Sequence, residues 1–80
     1  MKYDQDKVDE MTLALLYLVS TKLKEGLGAR AWKGFDGETI NRLHEKGWIE
    51  KPKSKSMSFL VTEEGYKKSE QLFMKHFGLK

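Results

Sequence analysis

The sequence predicts a mainly α-helical domain carrying one small β-hairpin. Apolar residues recur at helical spacing in three stretches bounded by capping or acidic residues at one end and, in two of them, by glycine at the other. Met57, Phe59 and Val61 alternate as a strand does. The chain has 80 residues, 39% of them hydrophobic, which supports one packed core over residues 1–80 and no second domain.

The first helix is expected from Asp6 to Leu23, a stretch free of Gly and Pro. Acids gather at its start, and Lys22 and Lys24 stand at its end, as the helix dipole favours. Gly26 and Gly28 then stop it. Val8, Met11, Leu15, Leu18 and Val19 form the expected core stripe, while Leu13, Leu16 and Tyr17 add apolar surface on other sides. A helix of this kind is covered on more than one side, and in so small a domain the extra cover points to a second copy of the chain. A homodimer is therefore expected through Leu13, Leu16 and Tyr17, helped by Leu72, Phe73 and Phe77 of the last helix.

Residues Ala29 to Gly34 read as one or two helical turns, with Trp32 and Phe35 as large anchors and Trp32 as a core plug. Asp36 caps a helix from Gly37 to Lys46 whose Ile40 and Leu43 face inward. Gly47 supplies its left-handed stop, and Trp48 takes the corner. Lys51, Pro52, Lys53, Ser54, Lys55 and Ser56 make a polar, basic tip between Ile49 and the strand. Thr62 caps the last helix, Glu63 and Glu64 fill its first turn, and Tyr66, Ser69, Phe73, His76 and Phe77 repeat at helical spacing.

Helix, short helix, helix, hairpin, helix is the order of a winged helix-turn-helix domain. The run Arg42-Leu43-His44-Glu45-Lys46-Gly47-Trp48-Ile49, followed by Leu60-Val61-Thr62-Glu63-Glu64-Gly65, resembles the winged-helix pattern of small bacterial regulators, with Val61 where Leu is usual. A wider resemblance spans almost the whole chain. Together with those runs, Thr12-Leu13-Ala14-Leu15-Leu16-Tyr17-Leu18 and Ala29-Arg30-Ala31-Trp32-Lys33-Gly34-Phe35-Asp36 look like a small bacterial family known only as an uncharacterised domain. In that family an aromatic commonly follows the Phe-Asp pair, where this chain has Gly37. The resemblance implies a bacterial origin and a winged-helix-like fold, and no substrate, ligand or operator.

Charge points the expected function toward double-stranded DNA. Fifteen basic against 12 acidic residues give a net charge of +3, and the bases concentrate in the middle third. Thr39, Asn41, Arg42 and Lys46 would meet base edges or phosphate from a reader helix, with Arg30 and Lys33 in support and Lys51, Lys53 and Lys55 as wing contacts. Glu38 and Glu45 on the same helix oppose that reading. The alternative is a protein-interaction or dimerisation module that does not bind DNA.

Other classes find little footing. The chain has no Cys, which removes disulfide scaffolds and thiol chemistry and points to the cytoplasm. The longest apolar run, Leu13 to Val19, falls far short of a membrane span of about 20 residues. His44 and His76 sit on different helices without the neighbours of a triad or metal site. Asp4, Asp6 and Asp9 miss the calcium-loop pattern at Asp9 and Leu15, and Gly26-Leu27-Gly28 lacks the lysine of a phosphate loop. The expectation is a protein that is no enzyme and takes no cofactor, metal or small-molecule ligand.

Overall fold

A computed structural model describes residues 1–32, 34–51 and 58–79. Among these the order is α1 (Gln5–Val19), β1 (Ser20–Lys22), β2 (Ala29–Trp32), α2 (Gly37–Glu45), β3 (Ser58–Val61) and α3 (Glu63–Phe77). The architecture is mainly α with a small antiparallel sheet of order β1-β2-β3. Ile49 extends that sheet by an antiparallel bridge to Val61. No helix among the described residues is long and apolar enough to cross a membrane.

Each helix start follows its capping residue. The Asp4 carboxylate accepts from Lys7 N–H at 3.0 Å, that of Asp36 from Thr39 N–H at 3.0 Å, and the Thr62 hydroxyl from Gly65 N–H at 2.9 Å. The end of α1 departs from expectation by four residues. Ser20 Oγ donates to the Leu16 carbonyl at 2.6 Å, removing one of the acceptors a further turn would use, and β-branched Thr21 continues in the extended form of β1.

The second departure is Ala29–Trp32, which is a strand and not helical turns. Alanine favours helices in isolation, yet here its small side chain is what the packing requires. Ala29 lies opposite Val61 and Ala31 opposite Phe59, and all four are buried on one face of the sheet. Arg30, opposite Leu60, takes the other face and is exposed. Among the described residues a single helix, α2, therefore lies between β2 and β3. The side chain of Trp32, and residues Lys33 and 52–57 with the expected wing contacts Lys53 and Lys55, lie outside the described residues.

The core gathers Leu13, Ala14 and Leu16 of α1, Ile40 and Leu43 of α2, Leu72 of α3 and the inner face of the sheet with Ile49. Here α1 reverses its expected orientation. The stripe Asp9, Leu13, Leu16 points inward, whereas Leu15, Leu18 and Val19 keep 43%, 65% and 48% of their surface in solvent. Leu13, Leu16 and Leu72, expected at an interface between copies, are covered by the chain itself.

A tight joint fixes the turn that follows α2. Gly47 adopts a φ of +79°, the left-handed stop expected of it. Thr62 N–H donates to the Trp48 carbonyl at 3.0 Å, and the Thr62 hydroxyl lies 2.9 Å from the Gly47 carbonyl oxygen as donor. The first turn of α3 sits so close to this corner that a Cβ at Gly65 would collide with the Trp48 carbonyl oxygen.

Candidate functional site

The expected reader helix is the natural place to begin, because α2 carries four of the expected DNA contacts. Three of the four face into the protein's own polar joint. Arg42 Nε donates to both carboxylate oxygens of Asp9, at 2.8 and 3.0 Å, and Lys46 Nζ donates to the same carboxylate at 2.8 Å. Asp9 is fully buried, and the Arg42 side chain keeps only 18% of its surface. Lys46 also reaches Asp6 at 3.0 Å and lies 5.4 Å from the centre of the Trp48 ring. Thr39 is buried: its hydroxyl donates to Asp36 at 3.0 Å and accepts from Arg42 Nη2 at 3.2 Å.

The electrostatics agree with the geometry. The hydrogen bond to Asp9 outweighs the cost of burial and holds the Arg42 guanidinium above its ordinary value. Burial pulls the Lys46 ammonium down, but its bonds to Asp9 and Asp6 prevail and leave it raised. Both cations are thus neutralised by α1. A buried carboxylate needs such partners, since an unpaired charge in the interior costs several kcal/mol, on the order of 3–5.

What α2 does show to solvent is Glu38, Asn41, His44 and Glu45. Neither Glu38 nor Glu45 forms an ion pair among the described residues. Of the expected helix contacts Asn41 is exposed without such a tie among the described residues, and Lys46, though paired, keeps 30% of its side-chain surface in solvent. Arg42 and Lys46, expected as reader residues, fasten α2 to α1 through Asp9, and Thr39, expected with them, bonds to Asp36 and Arg42. Arg30 is exposed and donates through Nη1 to Ser58 Oγ at 3.0 Å, and Lys51 is exposed two residues after Ile49.

The expected interface residues divide likewise. Tyr17 and Phe73 are half-buried in an aromatic cluster, with ring centroids 5.7 Å for Tyr17–Tyr66, 5.4 Å for Tyr17–Phe73 and 5.3 Å for Phe73–Phe77. The Tyr17 hydroxyl donates to Glu70 at 3.1 Å, and that bond and the charge beside it push the phenol above its ordinary value. Phe77, at 44% exposure, stays at the surface.

The outer face of α1 is the surface that residue-by-residue reading placed on the wrong side. Val8 and Met11 are half-buried and Leu15, Leu18 and Val19 exposed, and together they run the length of the helix at spacings of three, four, three and one. The signal was Asp9: an acid in one of two apolar stripes argues for solvent by ordinary rules, and only the cations of α2, distant in sequence, reverse that.

Comparison with known proteins leads in the same direction as the reading of the chain's motifs. The profile of a family described as "Domain of unknown function (DUF6429)" matches residues 4–79. A protein of Sinorhizobium fredii, named "Uncharacterized protein y4hR", is 46% identical over 77 residues, which is 96% of this chain and 97% of that protein. No solved structure matches the chain.

Proposed function

The chain belongs to the DUF6429 family, so its activity has to be sought in its own surface, and we propose that it is a small protein-interaction module that docks through the outer face of α1. The observation that carries this reading is the run Leu15, Leu18 and Val19, turned to solvent on a helix whose other face already completes the core. Exposed large apolar residues that line up on one face mark a contact site more often than scattered ones do. The same reading fits the engagement of Arg42 and Lys46, two bases expected on a reader helix, with Asp9.

The test is a photo-reactive residue placed at Leu18 in cells, with an equivalent at exposed Glu64 as control. Adducts with a polypeptide from position 18 and none from position 64 are expected. Adducts from neither would remove the proposal.

DNA binding survives as a second reading in a narrower form. It is favoured by exposed Arg30 on the solvent face of the sheet and exposed Lys51 beside the wing, with no contribution from Arg42 or Lys46. Such contacts would go to phosphate and carry little sequence preference. Titrating the protein into labelled mixed-sequence duplex at low salt distinguishes the two: binding lost on Arg30→Glu and Lys51→Glu supports the second reading, and no binding leaves the interaction module.

A further inference from the structure

We draw no further inference here: the strongest candidate, the apolar outer face of α1 carrying Leu15, Leu18 and Val19, belongs to the site already described, and nothing in the structure shows what covers it.

Discussion

Asp9 shows how one residue decides what a helix can do. Its carboxylate is fully buried, and two cations, Arg42 and Lys46, converge on it. Asp9→Ala should destabilise the fold by about 3 kcal/mol, at the lower end for breaking a buried pair because Arg42 and Lys46 can turn toward water. A lower denaturation midpoint with an unchanged denaturant slope would show it. Asp36 makes a pH-dependent contribution. Its bonds from Thr39, first the backbone N–H and then the hydroxyl, hold the carboxyl below its ordinary 3.8. A depressed folded-state value adds stability above the unfolded value and loses it as pH falls through the folded one. Stability attributable to Asp36 should therefore persist at pH 5 and fade below the ordinary carboxylate range. Acid titration of wild type against Asp36→Asn should show the two curves converging there, and a gap that stays constant with pH would contradict it.

Between elements, the corner formed by Gly47, Trp48, Thr62 and Gly65 explains the part of the chain most legible in sequence. The run from Lys46 to Ile49 and the run from Thr62 to Gly65 resembled known patterns because each residue meets a local demand: a positive φ at Gly47, a cap at Thr62, and no room for a side chain at Gly65. Gly65→Ala should cost about 1–3 kcal/mol as overpacking against the Trp48 backbone, measured by chemical denaturation. Helix caps, the stop at Gly47 and the strand ending at Val61 were legible for the same reason, since their causes lie within a few residues. Ser20–Lys22 and Ala29–Trp32 were not. The strand form of Ala29–Trp32 is set by the pairing of Ala29 with Val61 and Ala31 with Phe59, about thirty positions apart, and Ser20–Lys22 is extended because it pairs with that strand in turn, so local propensity carries no trace of either. The candidate site failed for a related cause. Two apolar stripes on α1 were visible, but choosing the inward one required knowing that Arg42 and Lys46 would come to Asp9.

At the scale of the whole molecule, α1 has one face that completes the core and another whose apolar residues meet solvent. Leu16→Ala on the inner face should cost about 2–5 kcal/mol, because it opens a cavity in a core this small. Leu18→Ala on the outer face should leave the dilute protein within about 0.5 kcal/mol of wild type. The two substitutions are two positions apart, and denaturation of both at low concentration checks the contrast. Cross-linking in cells from a photo-reactive residue at Leu18, beside the control at Glu64, tests the central claim most directly. Adducts with a polypeptide from position 18 and none from position 64 are predicted; adducts from neither position would contradict docking through the outer face of α1.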